Sequence, residues 1–299
     1  MGLLGATGAF AGVFGEGNAR GPAADASGPK FHSPAGPAPC HQLPMLTLAA
    51  REFGGAGKPP LVLLHGLLGS SRNWLTAGAA LAEYHEVVAL DARNHGRSPH
   101  DPEMSYPAMA ADLISWLDAR GWERVGLLGH SMGGKVAMLA ACRHPERFSA
   151  LTLVDIAPRT YFWAGHRASF AALQDLDLRD LRSRAEAELR LEGRVPDAFL
   201  RKFLLTNLEA RPEGGWRWAV NLPVLAAAVP ALEANPLEAG DRYPGPVRVI
   251  VGGRSAYVQP EDHSVLRTHF PAVEIVTLKD SGHNPHLDDR VGFVAAVLR

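Results

Sequence analysis

From residue 45 to the carboxyl terminus the chain alternates between two hydrophobic patterns. Short, nearly continuous apolar runs occur at 59–66 (PPLVLLHG), 85–93 (HEVVALDAR), 124–130 (RVGLLGH), 150–157 (ALTLVDIA), 247–253 (VRVIVGG) and 273–279 (VEIVTLK). Runs of this length and composition predict strands buried on both faces of a parallel sheet. The stretch 45–53 (MLTLAAREF) alternates instead and predicts an edge strand. Between the runs, helical spacing of apolar positions predicts helices over 72–84, 106–120, 132–143, 260–269 and 288–298. Strand alternating with helix predicts an α/β fold with a mainly parallel, doubly wound sheet. Such sheets hold their sites at the carboxyl ends of the strands.

The rhythm breaks between 157 and 247, where no strand is expected. The segments 178–193 and 197–208 read as amphipathic helices, and 214–229 as a turn followed by another. A helical insertion at the carboxyl edge of the sheet predicts a cap over the site. The organisation expected is a core of 45–158 and 241–299 with a cap at 159–240. Residues 1–44 are dominated by Gly, Ala and Pro, and predict a disordered tail that cannot bury enough apolar surface to fold.

Composition narrows the function classes. The 299 residues are 46% hydrophobic and 20% charged, with a net charge of −1. There is no basic excess to bind nucleic acid, and no apolar run long enough to span a bilayer. Two cysteines, Cys40 and Cys142, make no disulfide framework. The tail lacks the basic start of a secretory signal and has only Arg20 beside Glu16 and Asp25, unlike a transit peptide. Ala6 stands where a myristoylation signal needs Ser or Thr. A cytoplasmic monomer or small homo-oligomer acting on a small molecule is the expectation.

Candidate chemistry centres on GHSMG at 129–133. Among 31 glycines the G-x-S-x-G spacing alone is weak, but here it joins a predicted strand to a predicted helix. A turn that sharp strains the serine backbone, and glycines on both sides remove side-chain clashes. Ser131 then stands at the helix N-terminus as a nucleophile. Oxyanion donors are expected from the N–H of Met132 and, on the loop HGLLGSS after an earlier strand, of Leu67. His65 reads as a support of that loop.

His283 in LKDSGHNPHLDD follows the last predicted strand and is the candidate base, with His286 the runner-up. A metal at this pair lacks further ligands, and no cofactor is expected. The acid is less direct. After the strand at 247–253 come Arg254, Ser255 and Ala256, with no carboxylate, and only then Glu261 and Asp262. Asp155, ending the strand after the nucleophile helix, is preferred, with Asp262 or Glu261 as alternatives.

The set HGLLGSSRNW, DARNHGRSPH, MSYPAMAADL, GHSMGGKVAM, LVDIAP and GGRSAYV resembles one branch of the α/β-hydrolase superfamily. That branch contains α/β-hydrolase domain-containing protein eleven and the YbfF-type bacterial esterases. The resemblance runs from about residue 46 to the end. It implies a cofactor-free serine esterase with a small helical cap, acting on acyl esters or thioesters, with the nucleophile on Ser131, the histidine on His283 and the acid on Asp155. It also implies that Asp91, Arg93, Asn94 and His95 form a hydrogen-bonded loop scaffold. Arg254 departs from the family's usual asparagine, and Asn284-Pro285 from the usual aromatic. The triad alone leaves thioesterase, lactonase and C–C hydrolase chemistry open, as well as a ligand-binding protein without turnover. Ser131 argues against dehalogenase or epoxide hydrolase chemistry, which needs an aspartate there. Trp163, Phe203, Leu204, Trp216 and Trp218 are candidate pocket walls.

Overall fold

A computed structural model of the chain describes residues 46–299; the tail expected to be disordered lies outside the described residues. A seven-stranded sheet runs in the order β1-β3-β2-β4-β5-β8-β9. Its parallel members are β2 (Pro60–Leu64), β3 (Glu86–Leu90), β4 (Val125–His130), β5 (Phe148–Val154), β8 (Val247–Gly252) and β9 (Val273–Leu278). The edge strand β1 (Ala50–Gly54) is antiparallel to β3 and begins later than its alternation suggests. Leu46 is instead held by its N–H to Asp112 Oδ1 at 2.9 Å.

Helices cover both faces. On one side α1 (Leu75–Leu81) and α10 (Arg290–Leu298) bury Trp74, Leu81 and Phe293. On the other, α2 (Tyr106–Arg120) and α3 (Met132–Arg143) occupy the ranges their periodicity predicts and pack Met109, Leu113 and Val136 into the larger core. The expected helix at 72–84 is a 3₁₀ turn (Ser71–Trp74) leading into α1. The expected last helix, 288–298, is α10, which starts two residues late after a short α9 (Pro285–Asp288), and α8 (Asp262–His269) also starts two residues late.

Between β5 and β8 lie α4 (Ala164–Gln174), α5 (Arg184–Leu191), α6 (Ala198–Leu205) and α7 (Leu222–Glu233). The expectation of no strand here is corrected. β6 (Leu208–Ala210) and β7 (Trp216–Trp218) form a small antiparallel hairpin. Strands of three residues are too short to carry a readable period. The turn signal was present in Gly214-Gly215, both with positive φ (95° and 81°). Helix α4 was also not anticipated. Among the described residues, no helix is long and apolar enough to cross a membrane.

Lys135 ties this segment to the sheet. It lies fully buried on α3, and its Nζ donates to the carbonyls of Leu232, Glu233 and Ala234 at 3.4, 3.0 and 2.6 Å, at the carboxyl end of α7. The negative end of a helix dipole is where an ammonium is favoured. Burial, with Arg159 nearby, still draws its pKa from 10.5 down to about 7. Between those values the unfolded chain binds more protons than the folded one, so this group makes stability rise with pH across the window. Lys135→Met removes the linkage. Urea unfolding from pH 6 to 10 should show the wild type gaining on the variant as pH rises, and parallel profiles would refute the assignment.

Candidate active site

Ser131 caps α3 with φ 51° and ψ −115°, a region that costs a non-glycine residue about 1–3 kcal/mol. The packing around it explains the flanking glycines. A Cβ on Gly129 would lie 2.3 Å from the Gly133 carbonyl oxygen, and one on Gly133 2.6 Å from those of Leu64 and His65. The strained turn is held by Ser131 N–H donating to Val154 O on β5 at 3.1 Å.

Three chemically suited groups meet at the carboxyl edge. Ser131 Oγ is 3.1 Å from His283 Nε2, and His283 Nδ1 is 2.7 Å from Asp155 Oδ2. Asp155 is fully buried, just past β5, with φ 49°. Its Oδ1 accepts from Gly252 N–H at 3.0 Å and its Oδ2 from the Ser255 hydroxyl. A carboxylate satisfied on both oxygens can hold an imidazole in one tautomer, with Nδ1 protonated and Nε2 free to accept from serine.

Neither of the other two candidate carboxylates contacts His283. Asp262 pairs with Arg159 at 3.0 Å and accepts from Gln259 N–H, and Glu261 is exposed at the start of α8.

Residues 59–290 match the model of the alpha/beta hydrolase fold family. The chain belongs to this family. It is 38% identical to the mouse "sn-1-specific diacylglycerol lipase ABHD11" over 251 residues, 82% of this chain and 81% of that one. It is 34% identical to "Esterase YbfF" of Escherichia coli (strain K12) over 241 residues, 80% of this chain and 92% of that one. Among solved structures it is similar to a "Marine microorganism esterase", with a TM-score of 0.81 and 34% identity, covering 85% of this chain and 98% of that one. The resemblance drawn from the motifs therefore holds at the level of the family and of this branch.

In this α/β hydrolase the two residues expected to supply oxyanion donors belong to separate elements. Met132 opens α3, so its N–H is one of the first-turn donors that a helix leaves unpaired. Leu67 occupies the turn closed by Gly69 N–H to Gly66 O at 3.0 Å and lines the same cavity as Ser131. That turn is braced by two neutral histidines. His65 donates from Nδ1 to Gly66 O and accepts from Ala92 N–H at Nε2; His95 donates to Arg93 O and accepts from Leu68 N–H. Burial lowers the pKa of both, to about 3 for His95. Asp91 accepts from Ser71 and Arg97 N–H, and Arg93 forms a buried two-point pair with Asp112 at 2.7 and 2.9 Å. The region 91–95 is thus a hydrogen-bonded scaffold.

His286 does not reach Ser131. It is buried against Trp74, ring centroids 4.5 Å apart, and neither ring nitrogen has a partner among the described residues. Arg254 is exposed and turned towards the Asp280 carbonyl, whereas Asn284 lines the Ser131 cavity.

Sequence reading missed three supports. His130, inside the motif itself, pairs through Nε2 with the His283 carbonyl at 2.8 Å; burial and the nearby His283 and His286 keep it neutral. Tyr257 stacks on His283 at 3.6 Å between ring centroids and 16° between planes. Ser255 takes Tyr257 N–H on the oxygen that donates to Asp155. The run RSAY at 254–257, part of the family motif, carried the last two.

Two spaces that share Leu67 and Tyr257 in their walls lie at the site, and Ser131 lines the first. A cavity of about 270 Å³ is bounded by Ser131, His283, Asn73, Asp197 and Asn284. A second, of about 510 Å³, is bounded by Trp163, Phe162, Phe203 and Leu204. Trp163, Phe203 and Leu204 are therefore walls as expected; Trp216 and Trp218 stand on β7 and are in neither wall.

Proposed function

We propose that this α/β hydrolase is a serine esterase that cleaves small-molecule acyl esters through an acyl-enzyme. The observation carrying this reading is the continuous chain from Ser131 through His283 to a buried, doubly satisfied Asp155. Ser131 Oγ attacks the acyl carbon as His283 Nε2 takes its proton, and Asp155 stabilises the imidazolium. The N–H groups of Leu67 and Met132 receive the oxyanion. His283 then protonates the leaving alcohol, and water repeats the sequence to release the acid. Residues 159–240 act as the cap, and their Trp163–Phe203 wall holds the acyl chain. Relatives named as esterase and lipase support the same reaction class.

The test is turnover of p-nitrophenyl butyrate by the purified chain, with mass mapping of a fluorophosphonate adduct. Steady turnover and an adduct on the peptide containing Ser131 are expected. A folded protein that neither turns over the ester nor takes the adduct would overturn the proposal.

A further inference from the structure

His166 is a titratable group that the reaction as proposed does not use, and its surroundings are built. It lies in the first turn of α4, and residues on either side of it are tied to one carboxylate. Glu233 accepts from Trp163 N–H at 2.7 Å through Oε1 and pairs with the Arg167 guanidinium through Oε2. The imidazole packs on Trp163, with ring centroids 4.9 Å apart.

His166 lines both cavities. Leu67, Leu200, Phe203 and Tyr257 share that property, so these residues form the passage between the Ser131 compartment and the apolar one. Around the imidazole the passage presents aliphatic and aromatic surface, and the Tyr257 ring is committed to His283. Among the described residues, neither ring nitrogen of His166 has a hydrogen-bond partner. An acyl chain that fills the passage displaces water from this half-buried ring, and an unpaired ring nitrogen then gains from an oxygen carried on that chain. Desolvation, with His283 nearby, lowers its pKa to about 4, so at neutral pH it offers one donor and one acceptor. A hydroxyl can meet either nitrogen, accepting from the protonated one or donating to the other.

We propose that His166 determines specificity by hydrogen-bonding an oxygen carried on the acyl chain where it leaves Ser131 for the apolar compartment, so that the favoured substrates are hydroxyacyl rather than plain alkanoyl esters. The inference rests on the esterase reading and on the acyl chain taking the Trp163 compartment. A chain bound at Ser131 must pass His166 to enter that compartment, which places the contact within a few bonds of the scissile carbonyl.

The test compares ethyl β-hydroxybutyrate with ethyl isovalerate, which differ by a hydroxyl in place of a methyl. The wild type should favour the hydroxy ester by about tenfold in kcat/KM, as one hydrogen bond to an otherwise unpaired group commonly gives. His166→Phe should bring the ratio to within about twofold of unity, chiefly through KM, because the bond is made equally in ground and transition states. His166→Gln, which keeps a donor and an acceptor, should recover part of it. If His166 only packs, both esters lose together and the ratio survives in His166→Phe, which overturns the proposal. So does a His166-dependent preference for hydroxyethyl butyrate over propyl butyrate with none on the acyl side. Dissociation constants of the same acyl pair on Ser131→Ala, read by tryptophan fluorescence, need no turnover. An inert wild type with a His166-dependent binding ratio would fail the esterase reading while sustaining the His166 contact itself, and the absence of any His166-dependent ratio in binding or turnover would overturn that contact.

Discussion

Replacing Ser131 by alanine is expected to lower kcat for p-nitrophenyl butyrate by about 10⁶-fold, the scale of losing a triad nucleophile. The fold should survive. The Ser131 side chain makes no cap hydrogen bond to α3, its N–H bond to Val154 is backbone, and alanine keeps the Cβ. Alanine also has no more difficulty with φ 51° than serine does. Near-wild-type circular dichroism with no measurable turnover is the expected pair of results. Residual activity within tenfold of wild type would mean that another group attacks the ester.

The second large effect concerns the acid. Asp155→Asn should reduce kcat by about 10⁴-fold at neutral pH. The substitution is nearly isosteric, but the amide brings an NH₂ to a position that now accepts from His283 Nδ1 and the Ser255 hydroxyl, or else to the one that accepts from Gly252 N–H. Either orientation sets a donor against a donor: the first drives His283 to the tautomer that cannot take the serine proton, and the second faces Gly252 N–H with an NH₂ and loosens the carboxamide that holds His283. Glu261→Gln is the control at an exposed site, and Asp262→Asn the control for the Arg159 pair. Neither should cost more than a few-fold. A large loss at either position with a mild one at Asp155 would move the acid to α8.

The two effects differ in how far they could be read from sequence. The elbow is local. Its glycines, its strained serine and the helix after it lie within 129–143, and steric limits on neighbouring residues write themselves into residue type. Helices α2 and α3 were legible for the same kind of reason, since a face packed over three or four turns repeats at helical spacing. The hairpin at Leu208–Ala210 and Trp216–Trp218 was not, because three residues hold barely one period of a strand. The missed helix α4 shows another limit: it enters on Ala164-Gly165, and its docking is set by Glu233, far along the chain.

Sequence by itself determined the parallel sheet with its alternating helices, the helical insertion and the strained turn at Ser131, because each is a matter of short-range periodicity or of backbone sterics. Tertiary structure decided which carboxylate reaches His283, 128 residues from Asp155, by laying β5 beside β8 in a register that aims Gly252 at one oxygen of Asp155 and Ser255 at the other. It likewise decided that Lys135 closes the end of α7 and that His166 faces the passage to the serine. Those are contacts between residues far apart in the chain. A hydrogen bond across such a separation requires only a donor and an acceptor in the right place, and it imposes no spacing that one sequence can display.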